Sequence, residues 1–228
     1  MKNKEVIDFY LDKKFELEQF LVGVEKFFEK HPILNKTPFP VIHSIKSRFK
    51  DPAHLDDKIN RKAKSGVIIT SKNLFNEIND LIGVRVLHLY QDQFPIINAE
   101  IIKKIESKDW SFVEPPKAYT WDPESEKMYK ELGIETELRE TYYTSVHYVI
   151  TPNNPNPVSC EIQVRTLFEE IWGEIDHAIN YPHPTDNIPS KEQLRVLAKL
   201  VSTGSRLADS IFRSHNDYLK KNGLQQWL

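Results

Sequence analysis

The sequence predicts an α+β fold: a mixed, largely antiparallel β-sheet flanked by helices, with helical segments at both ends. Three observations carry that prediction. Apolar residues recur near a 3.6 period over 4–30 and again over 190–222. Between them lie short strand-like runs, Leu81 to Tyr90, Thr144 to Thr151 and Ser159 to Val164, the last two joined by the Asn/Pro-rich stretch Pro152 to Pro157. A regular strand–helix alternation, which would signal a parallel doubly wound sheet, is absent. The chain divides into an N-terminal helical segment (1–40), a central mixed segment (41–182) and a C-terminal helical segment (183–228).

The first helix carries Val6, Phe9, Tyr10, Leu17, Phe20, Leu21, Val24, Phe27 and Phe28 and should stop before His31-Pro32. Val41 to Phe49 alternates loosely, as a strand would. Asp51-Pro52 then opens a helix to about Ala63, with Pro52 suited to the first turn. Residues 71–80 read as a short helix, Leu81 to Tyr90 as a buried strand, Asn98 to Ser107 as a helix and Trp110 to Trp121 as strand plus loop. The stretch 122–140, with seven acidic residues against three basic ones, reads as a mobile connection. Thr166 to Tyr181 reads as a helix ended by Pro182. The last helix has Leu194, Leu197, Leu200, Val201, Leu207, Ile211 and Phe212 on one side. That stripe could pack on its own domain or on a second subunit.

Composition narrows the chemistry. Seven glycines, at 23, 66, 83, 133, 173, 204 and 223, cannot be arranged as G-x-G-x-x-G or as G-x-x-x-x-G-K-[ST]. Any phosphate must therefore be held by side chains rather than by a glycine-rich cradle. With 31 Lys+Arg against 33 Asp+Glu, the net charge of −2 argues against a generally basic coat for nucleic acid. The single cysteine, Cys160, excludes an intrachain disulfide and a cysteine-based zinc cluster and suggests a reducing, cytoplasmic setting. No signal peptide is expected behind the polar Met1 to Glu5, and no run approaches the ~20 apolar residues of a membrane span.

Four constellations carry possible chemistry. Lys46 to Lys64 holds seven cations against three carboxylates. Arg48 and Lys50 would share a strand face, and Lys58 and Arg61 a helix face. Such a segment could wrap a polyphosphate, or be a solvated basic surface. In Asp80-Leu81-Ile82-Gly83-Val84-Arg85 a carboxylate stands at the mouth of an apolar strand that has an arginine inside it. A charge there needs a partner or a ligand. Asp80 could hold Mg²⁺, or pair structurally with Arg85, and Gly83 suggests a bulge or a close backbone approach. In Cys160 to Thr166, Glu161, Gln163 and Arg165 alternate onto one face, available for a metal, a proton or a ligand, or simply exposed on an edge. In Tyr142 to His147, the alternation puts Tyr143, Ser145 and His147 together, an aromatic plane suited to a flat base or to ordinary packing.

Taken together, these segments over residues 41–181 resemble the synthetase domain of the RelA/SpoT family, the (p)ppGpp synthetases. Arg48-Phe49-Lys50 followed by Lys58 matches the family's ATP segment. Asp80 to Arg85 matches D-[IL]-x-G-[VIL]-R, Glu161 to Thr166 matches E-[IV]-Q-[IV]-R-T, and Trp172 to Tyr181 matches W-x-x-[IL]-[ED]-H-x-[IL]-x-Y with Asp176 and His177 in place. The resemblance implies a stand-alone nucleotidyltransferase-like synthetase, a GTP/GDP pyrophosphokinase that moves pyrophosphate from ATP to the ribose 3′-hydroxyl of GDP or GTP. It implies that Arg48 and Arg85 sandwich adenine and that Lys50 and Lys58 hold the ATP phosphates. Asp80 and Glu161 would bind Mg²⁺, with Glu161 also the base. Tyr143 would stack on the acceptor base, with His147, Gln163, Arg139 and Arg165 fixing the acceptor. Many small relatives are tetramers, and some are restrained by an antitoxin.

The acceptor loop departs from the family's K-x-x-G-Y-[RK]-S-x-H. Arg139 stands for the lysine, Tyr142 for the glycine and Thr144 for a cation. Fewer phosphate contacts at this loop keep other acceptors open: the 3′ end of tRNA, as in toxic relatives, or an adenosine nucleotide. A non-catalytic nucleotide-binding module is a further alternative. No His-Asp dipeptide occurs in the chain, so the hydrolase domain of long family members is not expected.

Overall fold

The computed structural model describes residues 3–154, 158–181 and 183–224. Six strands form one mixed sheet: β1 (Ser44–Phe49), β2 (Ile82–His88), β3 (Trp110–Thr120), β4 (Glu135–Leu138), β5 (Ser145–Pro152) and β6 (Cys160–Thr166). Their order is β1-β2-β6-β5-β3-β4. β1 with β2, β6 with β5 and β5 with β3 run antiparallel, while β2 with β6 and β3 with β4 run parallel. The expected mixed, mostly antiparallel sheet is therefore present.

The helices are α1 (Lys4–Asp12), α2 (Lys14–Lys30), α3 (Pro52–Lys64), α4 (Leu74–Glu77), α5 (Phe94–Glu106), α6 (Pro123–Glu131), α7 (Leu167–Asn180) and α8 (Ile188–Lys221). The single helix expected over 4–30 is broken at Lys13. Tyr10, Leu17, Val24 and Phe28 of this pair enter the same core as Val84, Val86, Val146, Ile162 and Val164 of the sheet. Asp51 caps α3 by accepting from the Ala53 and His54 amides, with Pro52 in the first turn. The helix expected over 71–80 shrinks to one turn, because Asn73 instead accepts from the Thr70 amide and donates to the Ile68 carbonyl, holding a loop. α5 starts at Phe94 rather than Asn98, with Pro95 in its first turn.

Two readings need correction. The acidic stretch 122–140 is no bare connection: it holds α6 and β4. Asp122 caps α6 through the Ser125 amide, the same Asp-Pro opening as in α3. The stripe on α8 also divides. Leu194, Ala198, Val201, Ser205 and Asp209 are buried, whereas Leu200, Leu207 and Ile211 are exposed. At ~100° per residue, the second set lies about two-fifths of a turn from the first. Ala198 and Val201 of the buried set pack on Trp172 of α7, whose indole donates to the Leu194 carbonyl at 3.0 Å, while Asp209 accepts from the Asp92 amide. Pro115 and Pro116 are accommodated inside β3, where its register against β5 shifts between Glu114 and Lys117. The turn expected over 152–157 begins at Asn153, and residues 155–157 and Pro182 lie outside the described residues.

Candidate active site

The register of the sheet builds the site. Residues paired directly across neighbouring strands share a face. One row is apolar and buried: Val84, Ile162 and Tyr148. The next row, on the other face, is Lys46, Arg85, Gln163, His147 and Lys117, one residue from each of five strands. Beside it runs Arg48, Gly83 and Glu161. Gly83 is needed for closeness rather than for a bulge. A Cβ there would lie 3.3 Å from the Glu161 carbonyl and 3.7 Å from Arg48 Nε, so its absence lets the arginine lie across β2 beside the glutamate strand.

Asp80 stands just before β2. Lys50 Nζ and Lys58 Nζ each lie 2.8 Å from one of its oxygens. Lys50 is one residue past β1, and its position is held by Tyr10 Oη, which donates to the Lys50 carbonyl at 2.8 Å. Burial opposes ionisation of Asp80, but the two ammoniums outweigh it and hold the carboxyl below its ordinary value. The Asp80–Arg85 pair considered from sequence does not form. Arg85 Nη1 turns instead to α7, 2.7 Å from Glu170 Oε1 and 2.6 Å from Glu174 Oε1.

Glu161 Oε1 lies 3.2 Å from His147 Nδ1, and Gln163 Nε2 donates to Glu161 Oε2 at 2.8 Å. Burial again opposes the charge, and His147 and Gln163 still hold this carboxyl below its usual range. The other His147 nitrogen, Nε2, lies 2.9 Å from the Tyr143 hydroxyl. Tyr143, His147, Glu161 and Gln163 thus form one continuous polar chain. The Ser145 hydroxyl, expected on the same face, is buried and donates to the Val164 carbonyl. Arg165 is also buried and pairs tightly with Glu170. It reaches there because Gly173 has no side chain: a Cβ at 173 would lie 2.7 Å from Arg165 Nη1.

Arg139 sits at the far end of the face. Its guanidinium lies 4.4 Å over the Tyr119 ring and its Nε 3.1 Å from Glu137. Tyr119 in turn meets His147 edge-on at 4.9 Å and lies 6.5 Å from Tyr143. Lys117 flanks the same ring and pairs with Glu137 at 2.7 Å. Two adjoining clefts open on this surface. One, ≈ 400 Å³, lies between the sheet and α7 and includes Tyr143, Arg165, Asp176, His177 and Tyr181. The other, ≈ 180 Å³, includes Lys46, Gly83 and Glu161. Arg48, Arg85 and Gln163 line both.

Two positions read from sequence as weakening the acceptor site lie elsewhere. Thr144 is buried, its hydroxyl 3.0 Å from that of Thr120. Tyr142 packs edge-on against Trp121 at 5.0 Å and against the Trp172–Val201 cluster. Both line a small enclosed cavity under α8 rather than either cleft. Sequence reasoning missed Glu170, Glu174, Lys117 and Tyr119. For the two glutamates a signal existed: with His177 and Tyr181 they fall at i, i+4, i+7 and i+11, on one helix face. For β3, the two prolines concealed its alternation.

The profile of the region found in RelA / SpoT proteins matches residues 47–186, well over half of the chain. This chain belongs to the RelA/SpoT family. The matched stretch contains every site residue named from the sequence. GTP pyrophosphokinase YjbM of Bacillus subtilis is 25% identical over 201 residues, covering 86% of this chain and 80% of the relative. Among solved structures, a GTP pyrophosphokinase family protein from Streptococcus pneumoniae superposes with a TM-score of 0.68 at 18% identity, covering 96% of both chains. Small alarmone synthetase 1 from Bacillus subtilis bound to its product pppGpp gives 0.63 at 20%, covering 87% of this chain and 91% of that one. These likenesses establish the RelA/SpoT synthetase fold. No described helix is long and apolar enough to cross a membrane. Cys160 is buried, and burial pushes its thiol up, so it is no nucleophile.

Proposed function

We propose that this RelA/SpoT chain is an ATP-dependent pyrophosphokinase that transfers the β,γ-pyrophosphoryl group of ATP to the ribose 3′-hydroxyl of GDP or GTP. The observation that carries the reading is the row of Lys46, Arg85, Gln163, His147 and Lys117 set beside Arg48 and Glu161 on one sheet face. A relative named as a GTP pyrophosphokinase supports it. A face of fixed cations around two ionised carboxylates suits phosphoryl chemistry, where catalysis is positioning plus charge neutralisation.

In this reading Arg48 and Arg85 enclose the adenine, and Lys50 and Lys58 exchange Asp80 for the ATP phosphates. Tyr143 stacks on the guanine, and His147, Gln163 and Arg139 orient the acceptor, with Arg165 bracing Tyr143 from 5.8 Å. The acceptor 3′-oxygen attacks the β-phosphorus, the bond from that phosphorus to the α,β-bridging oxygen breaks, and AMP leaves. Glu161, ionised and bonded to His147, takes the 3′-hydroxyl proton. Tyr142 and Thr144 turn their side chains away from both clefts, so neither obstructs a guanosine acceptor there.

Magnesium fits this donor set. The Asp80 charge opposes ionisation of Glu161, which sets the two carboxylates on the same side of the site. Mg²⁺ takes one or two carboxylates with substrate phosphates completing the shell, and no cluster of three or more His, Cys, Asp or Glu ligands occurs among the described residues. When bound, the ion would neutralise charge on the transferred group. A free buried thiol and substrates of this kind suit a cytoplasmic setting. Product analysis tests the reading: with ATP, Mg²⁺ and GTP, AMP and a 3′-pyrophosphorylated guanosine nucleotide should form in equal amounts. Consumption of ATP to ADP, or no AMP, would contradict it.

A further inference from the structure

Arg85 is held by two carboxylates of α7 that differ in burial and in the number of cations they serve. Glu170 is buried and serves three strands at once: Oε1 lies 2.8 Å from Lys46 Nζ and 2.7 Å from Arg85 Nη1, and Oε2 pairs with Arg165. It cannot leave Arg85 without abandoning two further cations. Glu174, one turn on, has a side chain 56% exposed, and among the described residues its ion pair is with Arg85, at 2.6 Å. It lines the ≈ 400 Å³ cleft that Arg48, Arg85 and Tyr143 also line. An exposed carboxylate on one guanidinium N–H costs little to release, whereas a buried one shared by three cations is costly to remove.

We propose that the two glutamates act on Arg85 in opposite senses: Glu170 is a positioning residue that orients the guanidinium toward the cleft, and Glu174 is an internal competitor that the donor nucleotide must displace. The inference rests on the assignment of Arg85 to the ATP site. The charges agree with it. Lys46, Arg85 and Arg165 converge on one strand face, where they repel one another. Glu170 compensates that repulsion from below the surface without occupying the cleft. Glu174 adds a second negative charge on the open side, where nucleotide phosphates or an adenine ring would approach the same arginine. Removing Glu174 should therefore help binding, and removing Glu170 should harm it, although both changes delete a carboxylate from the same ion cluster.

Calorimetric titration with α,β-methylene ATP and Mg²⁺ tests this on the full chain. Glu174→Gln should tighten the dissociation constant about 3- to 10-fold, equivalent to a fraction of, or one, factor-of-ten step in affinity. Glu170→Gln should weaken it about tenfold or more, with a thermal melt to confirm folding. The decisive control is the double-mutant cycle: in an Arg85→Ala background the gain from Glu174→Gln should vanish. A Glu174→Gln variant that binds no tighter, or a gain that persists without Arg85, overturns the inference while leaving the ATP assignment standing. A folded wild-type chain that fails to bind the analogue overturns the assignment, and the inference with it. Because Glu174 is exposed, its arm of the test holds even if Glu170→Gln does not fold.

Discussion

Glu161 and Asp80 carry the chemistry proposed here, and each is held ionised by specific neighbours. Glu161→Gln keeps the shape and the bond to Gln163 but removes the charge and the proton acceptor. Its turnover should fall about 10²- to 10⁴-fold, the range for losing a general base, with the thermal midpoint near wild type. Asp80→Ala should abolish Mg²⁺-dependent turnover while the circular dichroism spectrum is retained; residual Mg²⁺-dependent activity near wild type would contradict the metal assignment. Gly173→Ala tests the placement of Arg165. The new methyl would meet a guanidinium that is buried and paired with Glu170, so it cannot swing aside. Overpacking of this kind costs about 1–3 kcal/mol, and the acceptor KM should rise more than the ATP KM. The Arg85, Glu161 and Gln163 positions were legible in the sequence because strand alternation places them, and Asp80 because it stands at the mouth of the same apolar strand as Arg85. Glu170 and Glu174 were not singled out, because a glutamate on a helix is ordinary until a neighbouring strand is known to present arginines to it.

At the scale of elements, local rules succeeded where the capping residue and the periodicity agreed. α3 and α7 are examples. Thr166 accepts from the Glu169 amide while the Glu169 carboxylate accepts from the Thr166 amide, a complete capping box at the junction of β6 and α7. Thr166→Ala should cost about 1 kcal/mol and lower the thermal midpoint by about 2–4 °C in a chain of this size. It should also reduce activity, since α7 carries Glu170 and the far wall of the cleft. The failures have physical causes too. Residues 122–140 were read from their acidity, but Asp122-Pro123 is as good a helix opening as Asp51-Pro52, and five of the seven carboxylates can stay in water on α6 and β4, with Glu140 just beyond, while Asp122 is buried as the cap. The α8 stripe merged two faces because a 34-residue helix turns through many periods, and a list of apolar positions does not say which face meets a neighbour.

At the scale of the whole molecule, ionisation couples the helices to the sheet. Burial pushes the Glu169 carboxyl up to about 7, and burial together with nearby Asp92 raises Asp209 to about 6. Both contact the 91–93 turn, Glu169 through the Gln91 side chain and Asp209 through the Asp92 amide. A raised acid binds its proton more tightly in the folded chain. Its stabilisation is complete below the ordinary carboxyl value and is lost as the pH rises through about 6 and then 7. Glu170 has the opposite sign. Despite burial, Lys46, Arg165 and Arg85 draw it down to about 2, so its contribution is present above the ordinary value and is lost as the pH falls toward 2. The thermal midpoint should therefore peak at about pH 5, and Glu169→Gln should flatten the decline between there and pH 8. A midpoint that rises steadily from pH 5 to pH 8 would contradict that assignment.

Every residue role above depends on the transfer itself. Incubation with γ-³²P-labelled ATP, Mg²⁺ and, separately, GDP, GTP, AMP or tRNA tests it most directly. Label should appear in a product of GDP or GTP, at the 3′ position, with release of unlabelled AMP. Label in tRNA or in an adenosine product, or label in no acceptor while an active RelA/SpoT relative labels GTP in parallel, would contradict it.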